Sequence, residues 1–105
     1  MSYKWPDKDK DEIVDYSVDW SRFLENDTIA ALAWFIDDAN GNKVRVYAAD
    51  IVNGLQFVYQ TFTTTIATIR VSLGTNNVRY KITCQISTAE GLQYERSIFL
   101  RVKEK

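Results

Sequence analysis

Val78-Arg-Tyr-Lys-Ile-Thr-Cys-Gln-Ile-Ser87, then Thr88-Ala-Glu-Gly91, then Leu92-Gln-Tyr-Glu-Arg-Ser-Ile-Phe-Leu-Arg-Val102, is the stretch whose reading decides the fold. In its first part Tyr80, Ile82, Cys84 and Ile86 alternate with Lys81, Thr83, Gln85 and Ser87. A period of two is the mark of a strand with one buried and one wet face. After the break, Ile98, Leu100 and Val102 resume the apolar side, and Ser97, Arg101 and Lys103 the polar one. Gly91 is available for the positive φ that a tight connection needs. The stretch therefore predicts a long β-hairpin.

Working outward, residues 66–73 put Ala67, Ile69, Val71 and Leu73 on one side of a further strand. The β-branched run from 63 to 71 favours a pleated surface over a helix. Residues 55–60 form a short strand, and 50–54 read as a loop. Residues 28–37 (TIAALAWFID) could be a helix on alanine propensity. Asn40-Gly41 and the alternation from Val44 point instead to a strand that turns back on itself, with Leu32, Trp34 and Ile36 inward and Phe35 outward. Residues 13–20 alternate Val14, Tyr16, Val18 and Trp20 against Asp15, Ser17 and Asp19. Residues 21–26 are too short for a strand; one helical turn there would let Phe23 or Leu24 plug the core. The sum is about seven short strands with turns every 8–12 residues, an all-β fold of the immunoglobulin-like antiparallel β-sandwich type. Tyr80 sits where such sandwiches often place a corner tyrosine, although it precedes Cys84 by four residues where that motif has two.

Residues 1–12 (MSYKWPDKDKDE) predict a polar, solvated N-terminal arm, and 13–105 a single sandwich domain. Trp5 is the odd member of the arm. A tryptophan gains little in water, so it either folds back on the domain or docks on a neighbouring molecule, which would give self-association through the arm. At 105 residues the chain is long enough for one core without staples. With one cysteine it has no intramolecular disulfide, and Cys84 reads as a small buried thiol. The amino-terminal residues carry no apolar run of signal-peptide type, and no stretch approaches the ~18 apolar residues of a membrane span.

The residues argue against most chemistry. Histidine is absent, which removes the commonest general base and most zinc sites. Asp7, Asp9 and Asp11 alternate as calcium ligands do, but lysines interleave them and Val18 stands where a loop-closing glutamate belongs. Asp15 and Asp19 on one strand face lie about 13 Å apart, too far for paired carboxylate catalysis. With four glycines there is no phosphate loop. No enzyme, cofactor or metal is expected. A net charge of −1 gives no global field for nucleic acid or membrane. Binding remains: Phe35, Tyr47 and Phe99 fall outward in this register and, with Trp5, are the candidate protein-contact residues. An aromatic platform for sugar would look similar, so a carbohydrate- or surface-binding bacterial sandwich module is the alternative.

Three stretches together carry a resemblance: residues 9–20 (DKDEIVDYSVDW), Asn26-Asp-Thr-Ile29 with Trp34, and Tyr80-Lys-Ile-Thr-Cys84 leading to Glu95-Arg-Ser-Ile-Phe-Leu-Arg-Val102. The chain resembles small structural proteins of tailed bacteriophages and prophages, of the head–tail or fibre–tail adaptor type with an immunoglobulin-like domain. The resemblance spans roughly 9–36 and 78–105, and residues 39–53 depart from it. It implies a non-enzymatic virion protein, made in the bacterial host cytoplasm, whose partners are other tail, neck or fibre proteins. On the same resemblance, Tyr16 and Trp20 anchor an edge strand, and Glu95 and Arg96 are expected near Asp15 or Asp19.

Overall fold

A computed structural model describes residues 3–104. The alternating segments become two sheets packed face to face. The first has the order β1-β9-β8-β3-β4, with β1 Tyr3–Lys4, β3 Ile29–Asp37, β4 Lys43–Val46, β8 Arg79–Thr88 and β9 Gln93–Arg101. The second has the order β2-β7-β6-β5, with β2 Val14–Asp19, β5 Ile51–Val52, β6 Leu55–Phe62 and β7 Ile66–Leu73. Every pairing is antiparallel except that of the two-residue β1 with β9. Seven strands have four or more residues, and a single helical turn, α1 Ser21–Leu24, follows β2. The chain is an all-β two-sheet sandwich.

The core lies between the sheets and is filled by the inward members of each alternation. Trp34 and Ile36 of β3 face Cys84 and Ile82 of β8, and Ile82 in turn faces Ile98 of β9. Phe57, Ile69 and Val71 meet them from the second sheet, and all of these are buried. Full burial of a side chain of this size stabilises by about 1.5–3 kcal/mol, which is why the register is fixed: a slip of one residue would turn every one of them outward. The Tyr80 hydroxyl donates to the Asn53 carbonyl at 2.7 Å and accepts from the Thr75 amide at 2.9 Å, tying β8 to the turn before β6. Leu24 is the plug at the end of the core, while Phe23 is half-exposed. Burial pushes the Cys84 thiol up to about 12, so it stays a neutral apolar group.

Three expectations are corrected. Residues 50–54 are not a plain loop. They hold β5 and a two-residue turn in which Asn53 and Gly54 have φ of 49° and 86°, the left-handed pair of a tight hairpin. The Asn40-Gly41 hairpin forms as expected, through a five-residue connection in which Asp37 pairs with Lys43 and Gly41 is left-handed. Leu73 does not join the core: at φ 60° it leaves the pleat and is half-exposed. Glu95 does not meet the acids of β2, because it faces outward on the other sheet, whereas Arg96 stands beside Asp19 as expected and lines one cavity with it. Asp15 instead binds Arg70 in two hydrogen bonds of 2.7 and 3.1 Å, and Glu95 binds Lys43 at 2.8 Å.

The solvated arm is the fourth correction, for residues 3–12. This segment runs beside β9, with the Trp5 amide donating to Phe99 O and the Lys8 amide to Arg101 O, each at 3.0 Å. The Trp5 ring stacks on Tyr16 with centroids 4.7 Å apart, and its Nε1 donates to Ser17 O at 3.2 Å. It thus spans from β9 of one sheet to β2 of the other. Lys8 is fully buried; its ammonium donates to Asp9 O at 2.7 Å and to Leu73 O at 2.6 Å. A buried cation needs such partners, and here they hold the segment down.

Candidate functional site

The outward members of the five-stranded sheet form the most distinctive surface of the molecule. Along β8 these are Arg79, Lys81, Thr83 and Gln85; along β9, Arg101, Phe99, Ser97 and Glu95. On β3 and β4 the same face carries Phe35 and Asp37, opposite Arg45 and Lys43. Lys4 of β1 lies beside Phe99. Six basic residues against two acidic ones thus share one sheet face, in a chain whose net charge is −1. The remaining residues carry seven basic and twelve acidic side chains, so the molecule is polarised.

The rings on this face are covered by its cations. The Arg79 guanidinium sits 4.0 Å from the centre of the Phe99 ring, and the Lys43 ammonium 4.7 Å from that of Phe35. Arg45 lies 4.9 Å from the Tyr47 ring. Such contacts are attractive by about 0.5–1 kcal/mol at exposed sites, and they restrict the side chains that make them. A cavity of about 300 Å³ opens beside them, lined by Lys4, Arg79, Phe99 and Arg101. Lys43 reaches across Phe35 to Glu95, and Lys4 pairs with Asp7 at 3.9 Å. Among the described residues, Arg45, Arg79, Lys81 and Arg101 form no ion pair.

The four candidates read from the sequence divide. Phe35 and Phe99 share this face, and Tyr47, which is 56% exposed, continues the same side past the end of β4. Trp5 is separated from them. It is 9% exposed and committed to Tyr16 and Ser17, which takes it off the surface where a neighbouring molecule would be met. Sequence reasoning missed the basic residues. The alternation that placed Lys81 and Arg101 outward already carried the signal, but net charge averages it away, and Lys4 joins only because β1 pairs with β9. Among the described residues, no group of three or more His, Cys, Asp or Glu is placed to hold a metal ion.

The opposite face of the sandwich differs in kind. It presents Ser17, Thr68, Thr61 and Gln56, and its Arg70 is neutralised by Asp15, whose carboxyl that guanidinium holds below the usual carboxylate range.

Fold and surface together define an all-β sandwich that offers a flat, charged sheet face. Residues 8–101 match the family described as the podophage GP4 fiber-tail adaptor protein gp77, and the chain belongs to that family. It is a phage adaptor and tail structural protein, and the family places it in the virion, among tail and fibre proteins. No curated protein matches the chain.

Proposed function

We propose that this protein is a non-enzymatic fibre–tail adaptor that acts only through protein–protein contacts with its virion neighbours. The observation that carries the reading is the family match over residues 8–101, which includes every strand but β1, with the last five residues of the N-terminal segment. The protein is made in the host cytoplasm and taken into the particle during assembly. Residues 13–105, strapped by the preceding segment, act as one immunoglobulin-like domain. The strand orders β9-β8-β3-β4 and β2-β7-β6 support that reading, since they correspond to the G-F-C-C′ and B-E-D orders of immunoglobulin sandwiches. The Tyr80 hydrogen bonds add a corner tyrosine. Phe35, Tyr47 and Phe99 are contact candidates on this reading, within a face now dominated by its cations.

The test is deletion of the gene from its parent phage. The expected particles have heads and tails but lack attached fibres, and purified protein added back restores fibre attachment in electron micrographs. Fully fibred particles in the deletion would refute the adaptor role.

A further inference from the structure

We propose that the outer face of the five-stranded sheet docks a carboxylate-rich surface of a second virion protein, with Arg79, Lys81 and Arg101 as its charge contacts. The proposal rests on the adaptor reading and adds to it the place and chemistry of one interface.

The first argument is that the fold does not need this arrangement. Arg79 and Arg101 are direct cross-strand partners, and Lys81 follows on the same face. Like charges set opposite one another across a ladder are destabilising. The second sheet solves the equivalent problem in the usual way, by setting Asp15 opposite Arg70. On the first sheet three cations stand together with no ion pair among the described residues, an arrangement that a negative partner would stabilise.

The second argument is preorganisation. Arg79 is held against the Phe99 ring at 4.0 Å beside a cavity floored by that ring, so little side-chain freedom remains to be lost on binding. A guanidinium fixed in one plane suits the two-point recognition of a carboxylate.

The third argument selects the partner. Single-stranded nucleic acid is held by bases stacked on open aromatic faces, and here Arg79 and Lys43 already cover Phe99 and Phe35. The acidic excess over the rest of the chain would also repel a long polyanion running beyond the face. A second copy of this chain is a poor match, because many of its carboxylates are engaged within their own fold. Asp15 binds Arg70, Asp19 the Ser21 amide, Asp38 the Asn40 and Asn42 amides, and Asp50 the Tyr47 amide.

The experiment uses the full chain, a charge-reversed variant R79E/R101E, its neutral counterpart R79Q/R101Q, and a control K10E/R22E that changes net charge equally elsewhere. Circular dichroism first verifies that each is folded. Binding is measured to poly-L-glutamate and to oligothymidylate of equal charge, and solution mass by light scattering. The expected result is binding of polyglutamate by the wild type and control, weakened at least about tenfold in R79E/R101E and less in R79Q/R101Q. Equal weakening in the control, or tighter binding of oligothymidylate than of polyglutamate, would overturn the proposal. So would a dimer that R79E/R101E dissolves, which would make the occupant a second copy. Co-sedimentation with adaptor-deleted particles separates this inference from the one beneath it. If wild type and R79E/R101E attach equally, the adaptor reading stands and the face is not the interface. If the wild type fails to attach, the adaptor reading falls, and with it the virion partner proposed for this face.

Discussion

Residues 3–12 and the loop at 38–42 are both short and polar, the first rich in Asp and Lys and the second in Asn, yet the structure uses them in opposite ways. The first becomes part of the sandwich, burying Trp5 and Lys8 and bridging the two sheets. The second stands clear of the core and is organised only by its own Asp38 carboxylate and Gly41 backbone. What separates them is not average polarity. It is one aromatic ring that reaches the open side between the sheets, and one ammonium that finds two backbone carbonyls there. Composition alone counts Lys8 as a reason for exposure, and geometry makes it a reason for burial.

The largest test of this contrast is Trp5→Ala. Removing a ring that stacks on Tyr16 and is 9% exposed should cost about 3–4 kcal/mol in a denaturant titration, near the lower end for a buried tryptophan. A cost below about 1 kcal/mol would mean that the segment is laid on the surface and not built into the core. Lys8→Ala comes next. It leaves Asp9 O and Leu73 O without the buried ammonium that donates to them, for an expected loss of about 2–3 kcal/mol. Lys10→Ala, two residues on and exposed, should stay within about 0.5 kcal/mol. Equal effects at the two lysines would erase the distinction between a strap and an arm.

These two residues also mark where the sequence stopped being legible. The hairpin at 78–102 could be read because its period of two persists over ten residues, and the inward set Ile82, Cys84, Ile86, Ile98 and Leu100 is the set found buried. Trp34 inward and Phe35 outward followed from the same rule. Periodicity has nothing to report on a two-residue strand such as β1, whose pairing with β9 depends on a neighbour some 95 positions away in the chain. The turn at Asn53-Gly54 was missed for the reverse reason. The same dipeptide pointed to a hairpin at Asn40-Gly41 and went unread inside the 50–54 loop, although only the second copy forms the two-residue turn. Of the binding face, the rings Phe35 and Phe99 were legible from alternation. The grouping of Lys4, Arg79, Lys81 and Arg101 was not, because it needs the strand order as well as the strand phase.

Alkaline titration gives a smaller and more selective probe of the strap. The Tyr16 hydroxyl donates to Pro6 O, and burial, with the Glu12 and Asp7 charges, pushes its pKa from 10.0 up to about 12. A pKa raised on folding favours the neutral phenol in the native state. The stability it contributes is complete below pH 10 and is lost as pH rises toward 12. Wild type should therefore lose stability between those values faster than Tyr16→Phe, which has no proton to release there. Parallel curves for the two proteins would show that Tyr16 is as free to ionise as a surface tyrosine.

The smallest effects belong to the loop. Asp38 accepts from the amides of Asn40 and Asn42, each at 2.9 Å, but in an exposed position where water competes for both. Asp38→Ala should cost about 0.5–1 kcal/mol. Gly41→Ala meets no atom within 4 Å of the added carbon, so its cost is the left-handed backbone alone at φ 82°, about 1 kcal/mol. Combining the two should give close to the sum or less, since both loosen the same five-residue connection and neither reaches the core. Trp5→Ala combined with Lys8→Ala should likewise fall short of its sum, because once one fixing point is lost the other has less segment left to hold. The difference lies in scale, and a pair of double-mutant cycles reads it directly. If the loop pair costs as much as the strap pair, the 38–42 connection holds the sandwich together in a way that its exposure does not suggest.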